Sequence, residues 1–213
     1  MLVASFEGGP VATLGYLIAD HPGGTAVAID SPLDTAERMI HQARQWKTTI
    51  AYLLITHPHW DHFLDNKKLT AHSGAQLGLH REGLPMLQLP QLRMFGWDED
   101  MPPCDADFFL EQNQPVLAGN LKLDVIHCPG HCPGSVAFFI AAEKTLFTGD
   151  VLFAGSVGRT DLPGGNMETL LDSIRQKLLP LGDDVRVLPG HGPETTLGQE
   201  RHTNPFLRGW TLW

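Results

Sequence analysis

Three histidines and one aspartate lie within six residues of the chain, in the segment HPHWDH at residues 57–62. Imidazole nitrogens and carboxylate oxygens are ligands that zinc and related divalent metals bind in proteins. The segment directly follows a continuous apolar run, residues 50–56, which is typical of a buried strand. A polar loop in that position favours a metal site over a merely solvated surface loop. The candidate ligands are His57, His59, Asp61 and His62.

Three further candidate ligands, His131, Asp150 and His191, share one placement along the chain. Each comes soon after an apolar run and directly after a glycine, in the segments CPGH, FTGD and LPGH. A glycine permits a tight backbone turn at the end of a strand, so these loops can converge at one rim of a sheet. A single histidine in such a place is more often a packing or turn residue, but the shared context favours metal ligands.

Strand and helix patterns recur in both halves of the chain. Apolar residues recur at helical spacing from Asp34 to Trp46, where Asp34 and Glu37 predict a capping box. Further helices are predicted near residues 65–72 and after Asn166, which can act as an N-cap. The predicted strands lie within residues 11–20, 25–30, 50–56, 121–127, 135–141, 145–150 and 185–192. This order predicts an α/β fold in which helices cover a sheet-containing sandwich.

The length of 213 residues suits one layered α/β domain, and we expect residues 1–213 to fold as a single unit. Residues 83–115 contain many prolines and no sustained period, so we interpret them as a lid or a substrate-facing insertion. Near the end of the chain, Arg201 and Asn204 are expected to cap or anchor the C-terminal segment, with a substrate contact as the alternative.

The composition disfavours several classes of function. Apolar residues make up 42% and charged residues 18%, and a net charge of −9 without a basic run disfavours binding to nucleic acid. No apolar stretch approaches the roughly 20 residues of a membrane helix, and the N-terminus lacks the pattern of a secretory signal. Three cysteines, an odd number, suit a reducing compartment, so we expect a cytoplasmic protein.

The motifs THPHWDH, PGHCPGS, FTGD and LPGHG follow one another in this order, and together they closely resemble the metallo-β-lactamase superfamily. The resemblance extends over nearly the whole chain and implies an αββα four-layer sandwich with a binuclear metal centre at the rim between its two sheets. The implied ligand sets are His57, His59 and His131 for the first ion, Asp61, His62 and His191 for the second, and Asp150 as the bridge. An aspartate at position 150 differs from the cysteine that some lactamases carry there.

Two divalent ions held in this way indicate hydrolysis by a metal-bound hydroxide, because the ions lower the pKa of bound water and polarise a carbonyl group. Zinc is the first expectation for the cofactor, while histidine and aspartate also accept iron and manganese. Asp61 is the candidate catalytic residue, since its carboxylate can orient the nucleophile as well as bind the second ion.

Two longer segments, GDVLFAGSVGRTDLPGG and PGHGPETTLGQERHTNPFL, are similar to those of the small glyoxalase II-like branch, the hydroxyacylglutathione hydrolase-like proteins. This similarity implies a thioesterase that cleaves a small acyl-thiol such as S-D-lactoylglutathione and releases the thiolate. The chain ends soon after the ligand pattern, so we expect it to lack the extra helical domain of longer glyoxalase II enzymes.

Other activities fit the same residues. Persulfide dioxygenases share this fold and a similar GRTD segment, and their single iron would here take His57, His131 and Asp150. Hydrolysis of another ester, a lactone, a β-lactam or a phosphodiester needs the same nucleophile, because the metal centre determines the chemistry more than the leaving group. A non-catalytic binding protein is a third class, which the full set of ligands disfavours.

Several residues outside the ligand set have more ordinary interpretations. Arg159 and Asp161 of the GRTD segment are expected to form a structural ion pair, with a substrate contact as the alternative. Asp30 is expected either to support a metal ligand or to cap a turn. Small buried side chains are expected at Cys128 and Cys132. The histidines without a comparable context are expected to be structural or exposed: His21, His41, His72, His80, His127 and His202.

Overall fold

Two six-stranded β-sheets form the centre of the computed structural model, which describes residues 1–88 and 104–208. The first sheet contains, in spatial order, β1 (Leu2–Gly8), β2 (Thr13–Ala19), β3 (Thr25–Ile29), β4 (Thr49–Leu54), β5 (Gln76–His80) and β6 (Phe108–Leu110). The second contains, in spatial order, β7 (Val116–Ala118), β8 (Leu121–His127), β9 (Val136–Ile140), β10 (Thr145–Gly149), β13 (Arg186–Pro189) and β14 (Thr195–Thr196). A small separate hairpin consists of β11 (Leu152–Phe153) and β12 (Ser156–Val157).

Helices cover the outer faces of both sheets. They are α1 (Ala36–Trp46), α2 (Trp60–Phe63), α3 (Asn66–Ser73), α4 (Leu84–Gln88), α5 (Met167–Ser173) and α6 (Leu197–Thr203). One π-helical turn, Ile174–Leu178, continues α5. Every helix in residues 1–88 and 104–208 is too short or too polar to span a bilayer. The four layers therefore confirm the predicted α/β sandwich.

The periodicity of the strands explains this layering. In β2, Tyr16 and Ile18 face the second sheet and pack in one buried cluster with Phe138 of β9 and Phe147 of β10. Alternate residues of the same strand, such as Leu17, face the other way and pack in the cluster that contains α1 and α3. Successive side chains of a strand point to opposite faces, so a strand buried on both sides is apolar throughout. The second sheet packs its outer face against α5 and α6 in the same manner.

Most of the predicted elements are present. The predicted hairpin is formed by β2 and β3, and α1 then crosses to β4, which pairs parallel with β3. The predicted cap of α5 is confirmed, since the Asn166 side chain accepts a hydrogen bond from the Thr169 amide at 2.9 Å. The strand predicted at residues 50–56 ends at Leu54, where the chain begins the ligand loop. Sequence patterns did not indicate β1, β5, β6 or β7, which lie towards the sheet edges and mix buried with exposed positions.

Part of the predicted lid, residues 83–115, lies outside the described residues, which exclude 89–103. The described part of this segment contains α4 and β6, and β6 pairs parallel with β5 at the edge of the first sheet. Both sheets contribute to one inner core. The single domain over residues 1–213 and the lid remain predictions.

The predicted capping box at the start of α1 is wrong. Glu37 instead forms an ion pair with Lys68 of α3, and Asp34 is exposed. The amides of Thr35 and Ala36 donate to the carboxylate of Asp65, each at 2.9 Å. A remote buried aspartate therefore caps this helix, because the chain brings α3 beside α1 after the ligand loop.

Replacing Asp65 with alanine is expected to lower the free energy of unfolding by about 2–3 kcal/mol, since two buried amides lose a charged acceptor. Urea unfolding followed by circular dichroism measures the change. The control is Asp34→Asn, at the residue that the sequence predicted to cap α1. It should change the free energy of unfolding by no more than about 0.5 kcal/mol. A larger loss in the control than in Asp65→Ala would contradict the assignment of the cap.

Candidate metal centre

The seven predicted ligands lie at one rim of the sandwich, where four strands end. The loop at residues 57–62 follows β4 of the first sheet, and His131, Asp150 and His191 follow β8, β10 and β13 of the second. Gly130 and Gly149 have positive φ angles of 131° and 48°, as the predicted tight turns require. Position 190 requires glycine for a different reason, since a Cβ added there would lie 2.3 Å from Asp150 Oδ1.

The first group of ligands consists of His57, His59 and His131, all of which are buried. One ligand atom from each residue lies within 4.8 Å of the others. The Nε2 atoms of His57 and His131 are 3.1 Å apart. Two nitrogens that bind one zinc ion tetrahedrally are about 3.3 Å apart, given Zn–N lengths of about 2.0–2.1 Å. This group therefore has the spacing of a metal site.

The second group consists of Asp61, His62 and His191. Asp61 Oδ2 lies 3.4 Å from His62 Nε2 and 3.2 Å from His191 Nε2. Asp61 and His62 are buried, whereas the side chain of His191 is 27% exposed. Access to the group from solvent is therefore on the side of His191.

Asp150 lies between the two groups. Its Oδ1 atom is 3.3 Å from His62 Nε2, and its Oδ2 atom is 3.5 Å from His191 Nε2 and 3.7 Å from His131 Nε2. A carboxylate offers two oxygens with several lone pairs, so it can contact two cations at once. The position of this side chain fits the predicted bridge between two ions.

Three buried side-chain atoms in the centre have no hydrogen-bond partner: His59 Nε2, His62 Nε2 and Asp150 Oδ1. Buried polar atoms nearly always have a partner, because desolvation without compensation costs free energy. Nitrogen and oxygen atoms that converge in this way, on residue types that bind zinc or iron, fit divalent metal ions. The residues present are therefore chemically suited to the ions.

The second ring nitrogen of each ligand histidine is held by a neighbour in four of the five cases. His131 Nδ1 donates to the carbonyl of Arg159 at 2.7 Å, and His191 Nδ1 donates to the carbonyl of Val11 at 3.1 Å. A carbonyl only accepts, so these contacts place the proton on Nδ1 and direct the lone pair of Nε2 into the centre. The side chain of Arg159 instead forms a two-point ion pair with Asp161 at the surface, as predicted.

Asp30 holds the other two histidines from beneath the centre. Its buried carboxylate accepts from His62 Nδ1 at 2.8 Å and from the Thr56 hydroxyl at 2.7 Å. That hydroxyl in turn accepts from His57 Nδ1 at 3.0 Å. Asp30 also accepts from the Thr56 amide at 2.7 Å, so its carboxylate supports the loop of candidate ligands, the first of its two predicted roles. Thr56 was not predicted, and no feature of its sequence context indicates this contact.

Thr13 is a second residue that sequence reasoning missed. Its hydroxyl donates to Asp61 Oδ2 at 2.7 Å, and its backbone forms an isolated bridge with His191. The start of β2 therefore contacts ligands that come from both halves of the chain. A threonine at the start of a strand carries no sequence signal for this role.

Burial and mutual repulsion lower the pKa of His57 well below its ordinary value, and burial lowers the pKa of His59 to about 3. These two imidazoles are neutral, as metal binding requires. Burial also opposes charge on His62 and His191, but the neighbouring carboxylates outweigh it. They raise the pKa of His62 and bring that of His191 to about 9. A bound ion must displace these protons, so binding releases protons at neutral pH.

The other predicted residues fall into two sets. Cys128 and Cys132 are buried and unpaired, as expected, and Arg201 and Asn204 anchor the C-terminal segment through Asp183 and the Ser156 carbonyl. Two of the histidines that were expected to be structural or exposed, His80 and His127, contact each other. The rings of His80 and His127 stack with their centroids 3.9 Å apart.

Asp30→Asn is expected to weaken metal binding by about 10–100-fold, because an amide nitrogen would replace the oxygen that accepts from His62. Asparagine tolerates the positive φ of 56° at this position, so the backbone is preserved. Competition with a chromophoric chelator at neutral pH measures the affinity. Asp161→Asn, in the exposed ion pair, is the matched control and should bind as the wild type does. Unchanged affinity in Asp30→Asn would show that Asp30 does not support the ligands.

Comparisons with known proteins identify the family of the chain. The chain is 40% identical over 187 residues to hydroxyacylglutathione hydrolase GloC of Haemophilus influenzae, covering 84% of this chain and 86% of that protein. Its structure is similar to that of the B3 metallo-β-lactamase BLEG-1, with a TM-score of 0.91, 36% identity and coverage of 98% and 100% of the two chains.

Two further structures are relevant to the metal chemistry. TTHA1623 in a di-iron-bound form has a TM-score of 0.84 and 36% identity, with 96% of this chain and 100% of that chain covered. ETHE1 from Myxococcus xanthus has a TM-score of 0.83 and 26% identity, with 99% and 86% covered. The family model for the metallo-β-lactamase superfamily matches residues 8–191, which include all seven candidate ligands. The chain belongs to the metallo-β-lactamase superfamily.

Proposed function

We propose that this metallo-hydrolase cleaves the thioester of a small acyl-thiol, such as S-D-lactoylglutathione. The observation that carries this proposal is the 40% identity with hydroxyacylglutathione hydrolase GloC, which extends over most of both chains. The reaction adds water across the bond between the acyl carbon and sulfur, and it yields a carboxylic acid and a thiol. The converged histidines and aspartates provide the centre at which this hydrolysis would take place.

We further propose two divalent ions with the ligand sets implied by the sequence. The sets are His57, His59 and His131 for one ion, and Asp61, His62 and His191 for the other, with Asp150 shared. Zinc is the first choice for this donor set, and iron is the alternative, because a similar structure contains two iron ions. Bound ions would supply a water of lowered pKa and would polarise the carbonyl group of the substrate.

The residues of the chain would position the reacting groups. Thr13 donates to Asp61 and holds its carboxylate, so Asp61 can orient the attacking water as the catalytic residue. The substrate would approach past His191, the most exposed residue of the second group. Phe153 lies beside His191, with the two ring centroids 6.0 Å apart, and the exposed Val11 is also adjacent. These two apolar side chains offer contacts for the hydrocarbon parts of an acyl-thiol.

A cytoplasmic location is part of the same proposal. Cys104, Cys128 and Cys132 are unpaired, which suits a reducing compartment.

The experiment is anaerobic cleavage of S-D-lactoylglutathione by zinc-loaded protein, with the released thiol detected by a chromogenic disulfide. Asp61→Asn is expected to lower kcat/KM by about 100-fold or more, because it removes a ligand and the residue that orients water. His21→Gln, an exposed histidine outside the centre, is the control and should retain the wild-type rate. A metal-loaded wild type that leaves the thioester intact would refute the proposal.

Two further assays separate the competing activities. The competing proposal is a mononuclear-iron dioxygenase, which the similarity to ETHE1 supports, with His57, His131 and Asp150 as its ligands. One iron per chain together with oxygen uptake that depends on a thiol persulfide would replace the hydrolase proposal. The similarity to BLEG-1 makes a β-lactam the second substrate to test, and cleavage of the lactam but not of the thioester would reassign the substrate.

A further inference from the structure

A buried glutamate links the C-terminal helix to the hairpin that follows Asp150. Glu200 lies in α6 and is fully buried. Its Oε2 atom accepts hydrogen bonds from the Gly155 amide and from Asn204 Nδ2, each at 2.8 Å. Its Oε1 atom accepts from the Thr195 hydroxyl at 2.7 Å. A buried carboxylate costs free energy unless hydrogen bonds replace its hydration, and three neutral donors do so here.

Asn204 provides a second link to the same hairpin. Its Nδ2 atom also donates to the Ser156 carbonyl at 3.0 Å, and the residue is fully buried. Gly155 lies in the turn between β11 and β12, and Ser156 begins β12. Each strand of this hairpin has two residues. A hairpin this short is not stable by itself, so its position depends on the links to α6 and on packing against the core.

The returning strand of the hairpin leads directly to a contact with a ligand of the candidate metal centre. Gly158 follows β12, and a Cβ added there would lie 3.0 Å from His131 Nδ1. The next residue is Arg159, whose carbonyl accepts from the same nitrogen at 2.7 Å. That carbonyl keeps the proton of His131 on Nδ1 and directs Nε2 into the centre. The placement of the hairpin therefore decides whether His131 has its acceptor.

The other strand of the hairpin carries a side chain to the open side of the centre. Phe153 of β11 lies beside His191, with the two ring centroids 6.0 Å apart. The preceding residue, Leu152, is buried in the outer core together with Leu197 of α6. β11 also begins two residues after Asp150, the carboxylate between the two groups of ligands. One hairpin thus adjoins residues of both groups.

We propose that Glu200 is a positioning residue for the candidate metal centre. It holds the hairpin through Gly155, and together with Asn204 it fixes the strand that presents the Arg159 carbonyl to His131. Glu200 therefore acts through the hairpin and is not a catalytic residue. The inference rests on the candidate metal centre, which the proposed function shares, and it does not depend on which substrate is cleaved.

The test compares Glu200→Ala with the wild type at neutral pH, at a temperature where circular dichroism shows the variant to be folded. Competition with a chromophoric chelator measures zinc affinity, and mass spectrometry follows hydrogen exchange of residues 151–158. Zinc is expected to bind about tenfold more weakly, because His131 loses a firmly held acceptor. Exchange in the hairpin should become faster, since the Gly155 amide loses its own acceptor.

Glu200→Gln is the rescue variant. Its amide oxygen can accept from Gly155 and Asn204, and its amide nitrogen can donate to the hydroxyl oxygen of Thr195. Zinc affinity should therefore remain within about threefold of the wild type, because the same atoms stay linked. The hairpin should also exchange at the wild-type rate. Binding as weak as that of Glu200→Ala would assign the effect to the negative charge and would overturn the proposal.

Thr196→Ala is the matched control for a loss of stability in α6. The Thr196 side chain caps this helix by accepting from the Gln199 amide at 3.1 Å. Its removal should lower the thermal midpoint, whereas zinc affinity and exchange in the hairpin should match the wild type. An equal loss of zinc affinity in Thr196→Ala and Glu200→Ala would overturn the proposal, because the stability of the helix would then explain both.

Asn204→Ala keeps the proposal testable if Glu200→Ala does not fold. It removes the link to Ser156 and leaves the Glu200 bond to Gly155, so zinc should bind at least about threefold more weakly. Wild-type zinc affinity in a folded Glu200→Ala, or in Asn204→Ala where Glu200→Ala does not fold, would refute a positioning role. None of these measurements uses a thioester, so a failure here is distinct from a failure of the proposed function.

Discussion

Buried imidazole nitrogens need a partner, and buried carboxylates need a compensating charge, where water is excluded. This requirement shapes the rim of the sandwich. Burial lowers the pKa of His57 and His59 and keeps them neutral, whereas the surrounding carboxylates raise the pKa of His62. Divalent ions would satisfy both sets of residues at once. Three buried atoms of the centre have no hydrogen-bond partner, and bound ions would give each of them one. The metal centre thus accounts for an arrangement that would otherwise be destabilising.

The two sheets must keep a fixed relative position for this centre to exist, since one ligand loop belongs to the first sheet and three belong to the second. Hydrogen bonds cross between the sheets at the rim. The Val136 amide donates to the Thr56 carbonyl at 2.8 Å, and the Leu14 amide donates to the Gly190 carbonyl at 2.7 Å. The Tyr16 hydroxyl donates to the Pro189 carbonyl at 2.6 Å. Together with the inner core, these contacts align loops that are distant in sequence.

The metal chemistry and the choice of substrate depend on different parts of the molecule. Histidines and aspartates at the strand ends decide that hydrolytic metal chemistry is possible, and similar proteins with this fold have names as different as hydroxyacylglutathione hydrolase and β-lactamase. Under the proposed function, selection among substrates would depend on side chains beside His191, such as Val11 and Phe153. Such side chains can vary without disturbing the centre, which explains why one fold serves several reactions.

The sequence by itself determined the candidate ligand residues and most of the elements that carry them. The apolar runs before His57, His131 and His191 predicted strand ends, because burial on both faces of a strand requires continuous apolar sequence. Residue types at these ends were enough to predict a metal site. The edge strand β1 was missed, since partial exposure removes that signal.

Only the tertiary structure decided which distant residues meet. Asp65 rather than Asp34 caps α1, the Arg159 carbonyl rather than its side chain holds His131, and His80 stacks on His127 from the other sheet. Local patterns record whether a residue lies on a helix, a strand or a turn. They contain no measure of the distance between residues far apart in the chain, because that distance is determined by the packing of two sheets against each other.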